Sequence, residues 1–238
     1  MQLNKYIALS GVTSRRKANI LIKEGKISVN GTIVKEMGVS VKPGTDQIKL
    51  NNKILQIPLK YKYILFNKPA KVITSFTDQR NRPLVIDCID VKERIYPVGR
   101  LDYDTTGVLL LTNDGDLTYR LSHPKFEIDK IYEVLVQGYV ADNEIQELKS
   151  GVNIGNGDIV KGEAEAINRN SERSLIKIVI HEGKKRQIKR MMKNIGHPVI
   201  KLSRTVFAGL TAEGLKEGEW RELKPVEVRM LYQKTGLQ

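Results

Sequence analysis

Gly99-Arg100-Leu101-Asp102-Tyr103-Asp104-Thr105-Thr106-Gly107, running straight into Val108-Leu109-Leu110-Leu111-Thr112, is the most informative stretch of this chain. A polar loop bracketed by two glycines feeds an apolar run too short for a helix and rich enough to be a buried strand. Such a junction can hold a carboxylate at the mouth of a cleft while the strand fixes its position. Aspartate is also common in turns, where its side chain bonds the local backbone, so the stretch by itself leaves Asp102 open between the two roles. A calcium loop fits the first positions, Asp102, Asp104 and Gly107, but fails further on. Its twelfth position is Asn113 rather than a bidentate Glu, and strand rather than helix follows.

Working outward, period-2 and short apolar runs predict strands at 61–66, 107–112, 130–137, 174–180 and 198–206. Helical spacing predicts helices near 115–122, 141–149, 185–195 and 225–233. Asp114-Gly115-Asp116 reads as the cap of the helix that begins near Leu117. The alternation gives an α+β class, a mixed, mainly antiparallel sheet with flanking helices. No repeat of 20 to 50 residues and no low-complexity tract points to a solenoid or a disordered tail.

The first quarter reads differently. Leu3, Ile7 and Leu9 suggest a short helix ending at Gly11, and Ser14 is placed to cap a second helix that stops at Gly25. Asn30-Gly31 then marks a tight hairpin. The proline at 58 and the polar turn at Asn51-Asn52 separate a small domain, 1–58, from a larger one, 59–238. Residues 1–58 carry 10 Lys+Arg against 3 Asp+Glu, and the remaining residues 30 against 24. Arg15, Arg16 and Lys17 open the second helix, where cations oppose the helix dipole, so a partner outside the helix is the expected reason for them, a solvated charged face being the alternative.

The whole chain of 238 residues has a net charge of +13, which favours a polyanionic partner through counterion release. The amino-terminal stretch lacks the apolar run of a signal peptide, and no segment approaches bilayer length, so the expectation is a soluble, cytoplasmic protein with no membrane partner. Cys88 is the single cysteine, and His123, His181 and His197 are scattered; neither pattern makes a metal set.

Ser10-to-Val34, SGVTSRRKANILIKEGKISVNGTIV, resembles the S4 RNA-binding domain over roughly residues 1–50. That resemblance implies phosphate contacts from Arg15, Arg16, Lys17, Lys23 and Lys26. Four further motifs follow in order: Asn67-Lys68-Pro69, the Gly99-to-Leu117 segment, Lys130-Ile131-Tyr132-Glu133-Val134, and Glu182-Gly183-Lys184-Lys185-Arg186-Gln187-Ile188-Lys189-Arg190-Met191-Met192. Together they resemble the pseudouridine synthases, in the RsuA/RluB branch that modifies ribosomal RNA. The resemblance implies the pseudouridine synthase fold, Asp102 as the essential residue, Tyr132 against the target base, and Lys189 as the cation paired with the aspartate.

It also implies RNA contacts from Arg100, Lys185, Arg186 and Arg190. The spacing 185, 189, 193 stacks cations on one helix face, and Arg204, on the strand expected at 198–206, is expected to help neutralise RNA. The energy comes from the substrate's own isomerisation, so no cofactor and no metal is expected. The expected partner is ribosomal RNA or a ribosome-assembly intermediate, met by a monomer. A non-catalytic S4-type assembly protein, or the same chemistry on transfer RNA, are the competing readings.

Overall fold

The computed structural model describes residues 1–58 and 60–237. The expected start of the second domain, position 59, falls on Leu59, outside the described residues. The chain divides into two compact units: Met1–Lys62 with Val91–Ile95 and Asn113–Gly115, and the remainder.

In the first unit, α1 (Leu3–Leu9) and α2 (Arg15–Lys23) precede four short strands, β1 (Ile27–Val29), β2 (Thr32–Ile33), β3 (Ile48–Leu50) and β4 (Lys53–Ile54), in the order β2-β1-β3-β4. Ser14 caps α2, its side chain accepting from the Lys17 amide at 3.3 Å. Asn30 and Gly31 both take positive φ, 51° and 86°, the mirror-image turn that matches strand twist in a two-residue hairpin. Leu3, Ile7, Ala18, Ile22, Ile27 and Ile48 fill the core of this unit. Arg15, Arg16, Lys17, Lys23 and Lys26 remain exposed, and no acidic side chain lies in the first turn of α2.

The second unit is built on a nine-stranded mixed sheet. Its members are β5 (Tyr63–Lys68), β6 (Tyr96–Pro97), β7 (Thr106–Thr112), β8 (Lys130–Gln137), β11 (Glu163–Arg169), β12 (Arg173–Ile180), β13 (Val199–Phe207), β14 (Leu210–Thr211) and β15 (Trp220–Glu222). A separate ribbon pairs β9 (Val152–Asn153) with β10 (Ile159–Val160). The main path runs β11-β12-β8-β13-β7-β5-β15, antiparallel except where β13 meets β7. Four helices flank it: α3 (Gly115–Ser122), α4 (Asp142–Ser150), α5 (Gln187–Asn194) and α6 (Pro225–Thr235).

Strand β7 is buried at every position because both of its faces are covered, as its unbroken apolar run requires. Strand β8 alternates instead, turning Lys130, Tyr132, Val134 and Val136 inward. Helix α5 starts two residues later than the spacing predicts. Arg186 sits in the left-handed region, φ 53°, and breaks the helical path before Gln187. Lys185 therefore lies in a loop, and the expected stack of three cations on one helix face reduces to Lys189 and Lys193.

The parallel β7–β13 junction depends on one glycine. Gly107 has φ +104°, and a Cβ there would lie 2.2 Å from the Arg204 carbonyl oxygen. Any side chain would both strain the backbone and push two central strands apart. Gly107→Ala is expected to lower unfolding free energy by roughly 2–5 kcal/mol in urea denaturation. A loss under ~1 kcal/mol would show that the strands can separate cheaply.

Candidate active site

Strand register assembles the site. Gly107 stands opposite Lys68 on β5 and opposite Arg204 on β13, and Arg204 in turn stands opposite Tyr132 on β8. One transverse row therefore carries Lys68, Gly107, Arg204 and Tyr132. The loop 99–105, which leads into β7, is brought beside Tyr132 by this alignment.

A cleft of about 410 Å³ opens at that edge, within the range that holds a small organic ligand. Asp102 and Tyr132 both line it, with apolar wall from Ile73, Ile180 and Leu202 and a basic rim of Arg100, Lys185 and Arg186. Asp102 is half-buried and Tyr132 buried. Tyr132 can offer a ring face to an unstacked base, as RNA-binding proteins commonly do.

The loop is tied down from beneath. Lys68 is fully buried, and its ammonium donates to the carbonyls of Thr105 at 2.8 Å and Pro69 at 2.9 Å. Burial lowers its pKa to about 8, against the opposing pull of the Asp104 and Asp102 carboxylates. Thr74 adds a second tie, its hydroxyl donating to the Leu101 carbonyl at 2.9 Å.

Lys130 plays a comparable part for the opposite wall. Its buried ammonium donates to the carbonyls of His181, at 2.6 Å, and Ile128, at 3.0 Å, anchoring the start of the loop that supplies Lys185 and Arg186. Burial, with the nearby Arg204 charge, lowers this pKa to about 8 as well. Neither lysine was singled out from the sequence as a site residue. A lysine ending the apolar run Tyr63–Lys68, and another heading an alternating strand on its buried face, were the available signals.

Two expectations require correction, the Lys189 pairing and the exposure of Arg204. Lys189 makes its ion pair with Asp104, two residues beyond Asp102. Burial pushes the Asp104 carboxyl upward, but the hydrogen bond and charge of Lys189, helped by Arg186, outweigh it and hold the group below the usual carboxylate range. Arg204 is 2% exposed and not available to screen RNA. Its Nε donates to the Val108 carbonyl at 2.8 Å and its guanidinium lies 4.6 Å from the Phe207 ring centroid, because its strand position points into the sheet core. Arg190 is engaged by the carbonyls of Ile154 and Gly155 and does not line the cleft. The cleft thus unites Asp102, Tyr132, Arg100, Lys185 and Arg186, with Lys189 acting one step away through Asp104.

The histidines lie apart, each with a local partner: His181 with Asp129 at 2.9 Å, His197 with Glu144 at 3.1 Å, and His123 with the Lys125 amide at 3.3 Å. No helix among the described residues is long and apolar enough to cross a membrane.

Comparison with known proteins gives this geometry a family. The family model described as RNA pseudouridylate synthase matches residues 62–194, and the S4 domain model matches residues 1–46. The ribosomal large subunit pseudouridine synthase B of Bacillus subtilis (strain 168) is 44% identical over 97% of this chain and 95% of its own. An RNA pseudouridine synthase of Aquifex aeolicus (strain VF5) is 36% identical over 100% of this chain and 96% of its own. A crystal structure of a pseudouridylate synthase, 28% identical, superposes with a TM-score of 0.70 over 97% of this chain and 99% of that one. The chain belongs to the RNA pseudouridylate synthase family and carries an S4 domain ahead of its catalytic region.

The buried ammonium that ties down the 99–105 loop yields a pH test. In the unfolded chain a lysine keeps its proton to about 10.5, whereas folded Lys68 releases it near 8. Between those values the unfolded state holds more protons, so stability rises with pH. The difference in unfolding free energy between wild type and Lys68→Met should therefore grow in favour of wild type by up to about 1.4 kcal/mol per pH unit over that window. Denaturant titrations across it, with a flat difference, would contradict the burial account.

Proposed function

We propose that the uridine isomerised by this enzyme lies in ribosomal RNA, specifically that of the large subunit, and that Asp102 is the catalytic residue. The observation that carries the reading is the convergence of Asp102 and Tyr132 in one nucleoside-sized cleft with a rim of cations. The Bacillus subtilis relative, a ribosomal large subunit pseudouridine synthase, supports the large-subunit target. The exposed Arg15, Arg16, Lys17, Lys23 and Lys26 of the S4-matched unit support binding to structured RNA through its phosphates.

In this reading the target uridine leaves its stack and enters the cleft, and the ring of Tyr132 offsets part of the few kcal/mol that extrusion costs. The N1–C1′ bond breaks, the uracil turns, and C5 bonds to C1′. The C5 proton is lost and N1 gains one, so the reaction is an isomerisation with no net redox change. The Asp102 carboxylate serves at C1′, at C6, or as the base that takes a sugar proton in a glycal route. Arg100, Lys185 and Arg186 hold the flanking phosphates. Lys189 is a positioning residue that fixes the catalytic loop through Asp104. The protein works as a cytoplasmic monomer on RNA or an assembling subunit.

Tritium release from ribosomal RNA carrying 5-tritiated uridine tests this directly. Asp102→Asn should reduce the rate by roughly 10³-fold or more while RNA affinity changes by less than about threefold. Activity retained in that variant would remove Asp102 from the chemistry. Pseudouridine formed in transfer RNA alone would overturn the target.

A further inference from the structure

One stretch of the cleft wall continues into a loop that has been given no role so far. Ile73, Thr74 and Ser75 line the cleft and lead into this loop, which returns at Pro83. The loop is closed at its base by the Ile73 amide bonding the Pro83 carbonyl at 2.9 Å and the Val85 amide bonding Ile73 at 3.0 Å. At its centre Asp78, whose side chain is only 9% exposed, accepts four hydrogen bonds. They come from the amides of Arg80 and Arg82, both at 3.0 Å, from Arg82 Nε at 3.1 Å and from Arg82 Nη2 at 2.6 Å.

This fixes the Arg82 guanidinium in a plane, and its Cζ lies 5.4 Å from the centroid of the Tyr103 ring. Tyr103 follows Asp102 directly, lines the cleft and is 40% exposed. Its carbonyl is held in turn by the Lys71 amide at 2.7 Å. Arg82 is thus clamped along one edge by a carboxylate and braced by the catalytic loop. Its Nη1 makes none of the protein's described hydrogen bonds, and the side chain is 37% exposed. A guanidinium held along one edge, over a third exposed and lying beside the cleft-lining Tyr103, is pre-organised for a phosphate oxygen.

We infer that Arg82, oriented by Asp78 and Tyr103, is a phosphate-binding residue for the RNA backbone next to the extruded uridine. The assignment rests on the reading of the cleft as the site of an RNA nucleotide. Asp78 sets direction, so the arginine meets the strand without first having to order its own side chain.

Equilibrium binding of a large-subunit ribosomal RNA transcript across a salt series tests it, with every protein carrying Asp102→Asn to prevent turnover. Arg82→Gln should weaken binding about tenfold and flatten the slope of log K against log salt by about 1. The double variant Asp78→Asn/Arg82→Gln leaves net charge unchanged and should show the same loss, which long-range attraction alone would not produce. Arg82→Lys keeps the slope. In the active background, Arg82→Gln should raise KM for RNA about tenfold while kcat stays within about threefold.

Unchanged affinity and slope in both Gln variants overturn the assignment, as does a fall in kcat at saturating RNA with the slope intact, which marks a purely structural loop. Wild type that forms no pseudouridine in the transcript removes the functional reading itself. Wild type that forms it while Arg82→Gln binds normally removes the Arg82 assignment alone.

Discussion

The close approach of two strand backbones at Gly107 governs the rest of the catalytic unit. A parallel pair within an otherwise antiparallel sheet needs β13 to lie between β7 and β8. Only then does the loop before β7 meet the buried face of β8. Because Gly107 has no Cβ, the Arg204 backbone fits against it, and the register that follows sets Lys68, Arg204 and Tyr132 in one row. Asp102 owes its place to this row and to the Lys68 bond that holds Thr105. The position of Asp102 therefore depends on backbone geometry several residues away from it.

Buried cations recur around this site. Lys68, Lys130 and Arg204 are all buried, yet none forms a salt bridge with a carboxylate among the described residues, and each donates to backbone carbonyls. An unpaired buried charge is costly, and a sheet would be more stable with apolar residues there. Lys68 and Arg204 stand in the row that carries Tyr132, and Lys130 lies two residues before Tyr132 on the same face of β8. They supply positive potential from below, while Arg100, Lys185 and Arg186 supply it at the rim. Lys189 adds to this by neutralising Asp104, leaving Asp102 as the carboxylate that faces the cleft.

Much of this architecture was legible in the sequence because its signals were local. The burial of β7 followed from Val108-Leu109-Leu110-Leu111, the alternation of β8 from its period, and the hairpin from Asn30-Gly31. The limits of α3 and β8 fall where periodicity set them. Edge elements were harder: Glu163–Arg169 mixes charge with alanine, and Trp220–Glu222 is three residues long, so neither shows a clear period. The glycine-bracketed loop alone left Asp102 open between turn and site; it was the resemblance that named Asp102 with Tyr132, Lys185 and Arg186, and the structure brings these four into one cleft. The Lys189–Asp104 pair spans 85 residues, and its choice of Asp104 over Asp102 is a matter of loop conformation that no spacing encodes. The left-handed Arg186 similarly displaced Lys185 from the helix, since only tertiary packing sets that backbone angle. Arg204 misled for a physical reason: a charge in a strand is expected at the surface, and here it is buried by the row it completes.

The account comes down to whether the Asp102 carboxylate reaches the bond being remade. A crystal structure of the protein with an RNA containing the modified position decides this most directly. The account requires the uridine to be extruded beside Tyr132 with an Asp102 carboxylate oxygen about 3–3.5 Å from C1′, C6 or a sugar proton's carbon. A uridine still stacked in its RNA helix, or seated in the cleft with Asp102 turned away toward Lys189, would contradict it.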